Sequence, residues 1–396
     1  MKVAMVGPFG LRPHGTVSRR ALPLGKALAA RGYTVELVLP PWSCPEDSGR
    51  MWQEDEVSIH NIVLPISIPV WRDAVIVLRL LRRALAGRPQ VLHFFKPKGY
   101  SGLAAVLLWC LVRLRLMAVR VVLDSDDWEG PGGWNDAGNY SWWEKRFFAW
   151  QERWGMTHCH ALTLASRTLR DLALEMGVDA GMVYHVPNGV GSADGPPDPQ
   201  AGDRMRAELG LGRAPVILLY TRFFEFEPRR VVSVMGRLVR ECPATRLLVV
   251  GTGLFGEEER FLALAEEAGL SAHICYVGWR EGSALAGCLA AADLAMFPLE
   301  DTLLNRARCP AKLADLMAAG LPVVAEDVGQ VGEYIEHMSS GYLVSPGDVN
   351  AFVTGVVQLL EDRRLRVRLG QQARQRVVQQ FGWETLAAVL EEAYGG

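Results

Sequence analysis

Three acids crowd the end of one apolar run. In "VVLDSDDWEGPGGW" Asp124, Asp126 and Asp127 follow a run of aliphatic residues and precede a glycine-rich loop. Carboxylates this close repel one another unless water, a cation or a ligand pairs with them, so the cluster marks either a solvated loop with a helix cap or a working site. A second group is cationic. Arg222 comes directly after the run "PVILLY", where its forked guanidinium could clamp a phosphate. Arg229 and Arg230 open the next helical stretch and Lys312 opens another, "CPAKLADLMAAG", with Asp315 close beside it. Cations oppose the dipole at a helix N-terminus, so these positions favour a bound anion, against the alternative of surface pairs with Glu225 or Glu227. A third group can stack on rings or approach a ligand closely. Trp128 and Trp134 sit on the loop after the acids, Trp279 ends "YVGW", and Gly7, Gly10 and Gly15 punctuate "GPFGLRPHGTVSRR", which also holds His14. Gly251 opens a similar loop in "VVGTGLFGEEE", and "HFFKPKGYSG" supplies His93, Lys96 and Lys98 after another apolar run.

These residues share one placement: each follows a short aliphatic run. "KVAMVG" (2–7), a helical stretch over 16–31 and "YTVELVLP" (33–40) read as strand, glycine loop, helix and strand, the unit of a doubly wound sheet. Further strands are expected at 90–95, 119–124, 161–165 and 182–186, with helices near 72–86, 101–117, 141–156 and 166–176. "PNGVGSADGPPDPQAGD" (187–203), rich in Gly, Pro and Asp, reads as a linker. The same grammar then restarts, with strands at 215–220, 245–251, 273–277, 293–297, 322–325 and 342–344. The expected fold is α/β: two facing Rossmann-like doubly wound domains with an interdomain cleft. The boundaries are 1–190, a linker at 191–213, and 214–375, followed by a last helical segment at 376–396. Ligands of such sheets bind at the carboxyl ends of the strands, where the chemistry-bearing residues cluster.

Composition narrows the classes. A chain of 396 residues with a formal net charge of −2 has no global basic field, so bulk nucleic-acid binding is not expected. Seven scattered cysteines without a CxxC pair fit a reducing compartment. "THCH" (157–160) has no second ligand cluster, so no metal is expected. No signal peptide is read at the start, and Arg113, Arg115 and Arg120 interrupt the most apolar stretch, which is therefore not expected to span a membrane. No GxGxxG follows a strand, which argues against a dehydrogenase. Six of the twelve tryptophans lie between Trp128 and Trp154; Trp143, Trp150 and Trp154 keep helical spacing and are expected in a core or an interface.

The order of motifs resembles the GT-B glycosyltransferases of family 4 over nearly the whole chain. The most specific stretch runs "ADLAMFP", "PAKLADLMAAG", "LPVVAEDVGQVGEYI", "GYLVSPGD". Asp315 stands where the family's helix has Glu, Ala307 stands eight residues before it, and Glu300 or Asp301 would serve as the first acid. The resemblance implies that the second domain binds a nucleotide-sugar, with Arg222 and Lys312, and Arg229 near the place of the family's missing lysine, on the diphosphate. Asp315 would accept from the ribose hydroxyls, and Gly329 to Glu333 would lie near the donor sugar. Gly10, Gly251, Trp279 and Asp301 complete the expected donor contacts. The first domain would take the acceptor, a saccharide or a lipid-linked one, through His14, His93, Lys96, Lys98, Trp128 and Trp134. Asp126 and Asp127 fall where many members carry a histidine near the reacting carbon, and would orient or deprotonate the acceptor hydroxyl. The implied reaction is sugar transfer with retention and without a metal or other cofactor. The terminal "FGWETLAAVLEEAY" resembles a helix that crosses back to the first domain.

Two other readings remain: a non-hydrolysing nucleotide-sugar epimerase of the same fold, and an inactive nucleotide-sugar or carbohydrate-binding protein. A cytoplasmic location follows from this reading. The basic helical stretch 71–88 could also lie on anionic lipid at the inner face of the cell membrane, or simply pack on its sheet with a charged outer side.

Overall fold

The structure is a computed structural model that describes residues 1–12, 15–65, 69–191 and 195–395. His14, expected at an acceptor, lies outside the described residues. The chain divides into two compact units. One comprises Met1–Gly189, Arg306–Cys309 and Phe381–Gly396; the other comprises Val190–Asn305 and Pro310–Gln380.

In the first unit, strands β1 (Lys2–Val6), β2 (Thr34–Leu39), β3 (Met51–Glu54), β4 (Val57–Asn61), β5 (Val91–Phe95), β6 (Arg120–Ser125), β7 (Ala161–Leu164) and β8 (Val183–His185) form one sheet. Their order is β3-β4-β2-β1-β5-β6-β7-β8. All pairs are parallel except β3 with β4. Strands β1, β5, β6 and β7 are buried on both sides, which is why they read as nearly unbroken apolar runs, whereas β3 and β4 at the edge alternate. The β3–β4 hairpin was not expected. Its turn residues Asp55 and Glu56 both take positive φ (43° and 65°), a turn that usually announces itself by Asn-Gly, so its sequence signal is weak.

The second unit holds β9 (Val216–Tyr220), β10 (Arg246–Val250), β11 (Ile274–Gly278), β12 (Leu294–Phe297), β13 (Val323–Glu326) and β14 (Tyr342–Val344). The order is β11-β10-β9-β12-β13-β14, parallel throughout. In both sheets the winding reverses beside the first strand, between β1 and β5 and between β9 and β12. Loops diverge there and leave a crevice at the carboxyl edge. The expected site residues after β1, β5, β9 and β12 sit at these two points.

Two segment boundaries differ from expectation. The stretch 191–213 is not only linker: Pro199–Glu208 is a helix, capped by Asp198. It packs on the helix Gly282–Ala291, approaching so closely that a Cβ on Gly202 would lie 2.5 Å from the Ala290 carbonyl oxygen. Burial against a neighbour makes a helix out of a polar, proline-flanked sequence that propensity alone leaves as coil. The last helix starts later than residue 376. Arg363–Phe381 runs on as one helix, and Trp383–Ala393 follows after Gly382. There Trp383, Leu386, Leu390 and Tyr394 join the core of the first unit with Leu24 and Leu28. Among the described residues no helix is long and apolar enough to cross a membrane.

Candidate active site

In the first unit, each of the three aspartates at the end of β6 has a different neighbourhood. Asp124 is fully buried and receives both Nε and Nη2 of Arg20, at 2.8 and 2.7 Å, and the Thr163 hydroxyl at 2.6 Å. Arg20 sits in a π-helical turn, Val17–Ala21, and also donates to the Pro187 carbonyl at 3.2 Å. This bidentate pair is a structural tie under the site. Asp127 accepts from Lys96 at 2.9 Å. Burial alone would push its carboxyl up, but Lys96, Trp134 and Arg308 together hold it below the usual range.

Asp126 is the exception. Its Oδ2 accepts from the Thr16 hydroxyl at 2.6 Å, while its buried Oδ1 has no hydrogen-bond partner and lies 3.8 Å from Lys96 Nζ. Burial, then the neighbouring Asp127 and Asp124, push its carboxyl up to about 6, against the pull of Lys96 and Thr16. A carboxylate with one unused oxygen and a conjugate acid near neutrality is suited to taking a proton from a hydroxyl.

Lys96, held at a positive φ of 55° after β5, also lies 3.1 Å from Glu129. Lys98 donates to Glu129 at 2.7 Å and to Asn135 at 2.9 Å, beneath the rings of Tyr140 and Phe148. Both lysines were expected to meet an acceptor; they instead neutralise the acids. His93 was expected there too, but it is fully buried. Its ring nitrogens meet the Tyr394 hydroxyl at 2.8 Å and the Thr163 hydroxyl at 3.2 Å, and burial lowers its pKa to about 4. It is a core histidine. Trp128 packs on the core with its N–H on the Pro131 carbonyl at 2.9 Å, so it shapes its loop. Gly10 is buried beside Pro41, within a loop fastened by Trp42 Nε1 on the Pro8 carbonyl at 2.9 Å.

In the second unit, Glu225 organises the crevice between β9 and β12. From its spacing Glu225 reads only as a surface partner for the nearby arginines, not as an anchor. Its Oε2 accepts from the Thr221 hydroxyl at 2.8 Å and from the Arg222 amide at 2.9 Å, and its Oε1 lies 3.6 Å from Lys312 Nζ. Lys312 Nζ also stands 5.3 Å from the centre of the Tyr220 ring. One buried carboxylate thus gathers the Arg222 loop and the Lys312 helix, Ala311–Ala318, at the end of β9. Asp315 follows one turn later on the same side of that helix. Asn305 donates to the carbonyls of Glu225 (2.8 Å) and Glu300 (2.9 Å), which draws the loop after β12 to the loop after β9. Glu300 is half-buried there, and Asp301 is exposed beside it.

Of the paired arginines at the start of the helix Pro228–Glu241, Arg229 is exposed, while Arg230 donates to Glu326 at 2.8 Å. The mismatch of Arg230 with the helix dipole is therefore offset by an acid of the protein itself. Glu326 also accepts from the amides of Leu299 and Gly347, at 2.6 and 2.7 Å, and so ties three loops together. Gly251, expected on the donor, has a packing reason: with φ at 127°, a Cβ there would lie 1.8 Å from the Thr221 carbonyl oxygen. Trp279 is 43% exposed with its N–H on Glu281 at 2.9 Å. Gly329 takes a positive φ of 54° before a single helical turn, Val331–Tyr334, that carries half-buried Glu333.

Two parallel doubly wound α/β units in one chain constitute the GT-B fold. Solved structures of that fold superpose along the whole chain. Sucrose-phosphate synthase from Thermosynechococcus elongatus does so with a TM-score of 0.76 at 21% identity, covering 100% of this chain and 98% of that one. Anabaena HepE, solved in complex with UDP and glucose, gives 0.73 at 17%, covering 100% and 99%. Residues 203–376 match the family described as Glycosyl transferases group 1, and residues 15–189 match the Glycosyl transferase 4-like domain. The chain belongs to this glycosyltransferase family. Among its relatives is a GDP-mannose-dependent alpha-(1-6)-phosphatidylinositol monomannoside mannosyltransferase of Mycobacterium tuberculosis. It is 28% identical over 239 residues, 59% of this chain, and the match spans 60% of that relative's length. A phosphatidyl-myo-inositol mannosyltransferase of Mycobacterium leprae is 26% identical over 406 residues, covering 100% of this chain and 96% of the relative.

Proposed function

We propose that this protein transfers a sugar from a nucleotide-sugar to an acceptor hydroxyl, with retention of anomeric configuration and without a metal ion. The observation that carries the reading is the arrangement around Glu225, which holds Lys312 and the Arg222 loop together at the winding reversal of the second sheet. When the bond from the anomeric carbon to the diphosphate oxygen breaks, the electron pair stays on that oxygen. Arg222 and Lys312 stabilise the resulting charge, in the place a divalent cation would otherwise take. Asp315 accepts from the ribose hydroxyls. The acceptor oxygen bonds to the anomeric carbon, and its proton passes to the unpartnered Oδ1 of Asp126. The acceptor is a saccharide or a lipid-linked saccharide, taken by the first unit near Asp126 and Trp134. Seven cysteines, none of them in a disulfide, suit a reducing compartment, so a cytoplasmic location is part of the proposal.

GDP-mannose is the first donor to try, since the mycobacterial relative is named for it. The test is thermal-shift measurement with UDP, GDP, ADP and their sugars, followed by product analysis with the donor that binds. A nucleotide held by the folded protein raises the midpoint, and NMR of the product reports the configuration. Absence of any nucleotide-dependent rise would overturn the reading. Consumption of the donor to an epimer without an acceptor would replace it with the epimerase.

A further inference from the structure

The helix Trp142–Thr157 is inside out. At about 100° per residue, Gln151, Gly155, Glu152 and Met156 share one side, and these are its buried residues. Gln151 accepts from the Gly99 amide at 2.9 Å, and Glu152 accepts from the Ser125 hydroxyl at 2.9 Å. The opposite side, an arc of about 140°, carries Trp142, Arg153, Arg146, Trp150, Trp143, Trp154 and Phe147. Trp142 is 59% exposed, Trp143 74%, Phe147 40% and Trp150 45%. The rings form two groups: Phe147 stacks on Trp150 at 5.8 Å and Trp150 meets Trp154 at 6.3 Å, while Trp142 packs edge-on against Trp143 at 4.4 Å with Arg146 over its ring at 5.3 Å. A sequence that spends its polar residues on the interior and its indoles on the outside has a reason for the outside to be aromatic.

We propose that this side of the first unit docks on an anionic lipid surface, with the indoles at headgroup depth and the arginines on the lipid phosphates. Charge chooses this occupant. The helices Pro69–Ala86, Gly99–Arg113 and Trp142–Thr157 pack in a row on one side of the sheet. Together they carry eight Lys and Arg against three acids, and one of the acids, Glu152, is buried, in a chain whose net charge is −2. Arg113, Leu114, Arg115 and Leu116 are exposed after the middle helix, and Trp71 at the start of the first is 66% exposed. The basic stretch 71–88 is thus one edge of a broader surface. A second copy of the chain fits less well: an isologous contact would set Arg146 and Arg153 against their own copies, with no acid on the arc. A saccharide fits less well too, because the arc lacks the carboxylates and amides that bind sugar hydroxyls.

The proposal is independent of transfer activity. The full chain should co-sediment with phosphatidylcholine vesicles containing phosphatidylglycerol and scarcely with phosphatidylcholine alone. Trp143→Ser with Trp150→Ser should weaken this by at least about tenfold. Arg146→Glu with Arg153→Glu should weaken it by more than about fivefold per site and reduce its salt sensitivity. Both pairs are exposed, so circular dichroism and the thermal midpoint should stay at wild-type values. The proposal fails if wild type ignores anionic vesicles, or if the folded tryptophan pair binds them as wild type does. It also fails if sedimentation equilibrium shows a lipid-free dimer that the tryptophan changes dissociate.

Discussion

Replacing Asp126 by Asn should have two opposite effects: a first unit that is harder to unfold at neutral pH, and transfer that nearly stops. The carboxyl is 8% exposed, and burial raises its pKa from 3.8 to about 6. A carboxyl with a folded-state pKa above its unfolded value holds its proton more tightly in the native state. The native state is therefore penalised as pH rises from about 4 to about 6, and the full cost remains above that. The displacement from 3.8 to about 6 corresponds to a ceiling of about 3 kcal/mol. Asn keeps an acceptor for Thr16 and removes the ionised oxygen, and Lys96 still has Asp127 and Glu129. The variant should therefore gain about 1–3 kcal/mol at about pH 7.5, a gain that vanishes near about pH 4. Urea unfolding followed by tryptophan fluorescence reports this unit, because six of the twelve tryptophans lie between Trp128 and Trp154. Transfer by the same variant should fall by about 100-fold or more, and the wild-type rate should climb through about pH 6 to a plateau. A variant that is less stable at neutral pH, or that shifts stability equally at both pH values, would refute the assignment of burial as the cause. Near-wild-type transfer would refute the assignment of Asp126 as the base.

Arg222→Ala and Lys312→Met should each lower kcat/KM by about 100-fold and blunt the thermal shift by the nucleoside diphosphate; unchanged diphosphate affinity in both would remove the leaving-group role. Asp124→Asn leaves the Arg20 guanidinium buried against a neutral partner and should cost about 3–5 kcal/mol in urea unfolding, whereas a loss below about 1 kcal/mol would mean that water reaches the pair. Transfer should change by less than about twofold when EDTA is added, and abolition restored by a divalent cation would show that a metal carries the leaving-group charge.

The alternation of strands and helices was readable because parallel strands buried on both sides are written as aliphatic runs, and the loops after them could be named as sites before their contacts were known. The contacts themselves were not readable. Arg20 meets Asp124 across 104 positions, and His93 meets Tyr394 across 301. Nothing in local spacing distinguishes a buried histidine from an exposed one. The aromatic helix is a subtler case, in which a core or an interface was expected and exposure removes the core. Its spacing was seen, but tryptophans at helical intervals imply burial only if the opposite side is polar and free. Here Gln151 and Glu152 are bound to Gly99, Ser125 and Glu129, so the polar side is the one turned inward.

The acids of the second unit explain why its cations differ in availability. Reading only the sequence, Arg222, Arg229, Arg230 and Lys312 all lie where an anion could use them. Arg230 is committed, because Glu326 at 2.8 Å fixes it while holding the loops after β12 and β14 through the Leu299 and Gly347 amides. Glu227, beside the same helix start, pairs with Arg260 at 2.7 Å. Glu225 acts differently. It spends one oxygen on Thr221 and the Arg222 amide, and its other oxygen stands 3.6 Å from Lys312, beyond a short charge-assisted bond. Such a carboxylate places the ammonium at the crevice, beside the Tyr220 ring. The side chain of Arg222 is left half-exposed while its backbone is fixed. A diphosphate arriving there would meet one ammonium already placed and one arginine on a fixed backbone, so part of the ordering cost is met in folding rather than in binding. It follows that Glu225→Gln should weaken donor binding even though it removes a negative charge from an anion site, the opposite of what charge counting predicts.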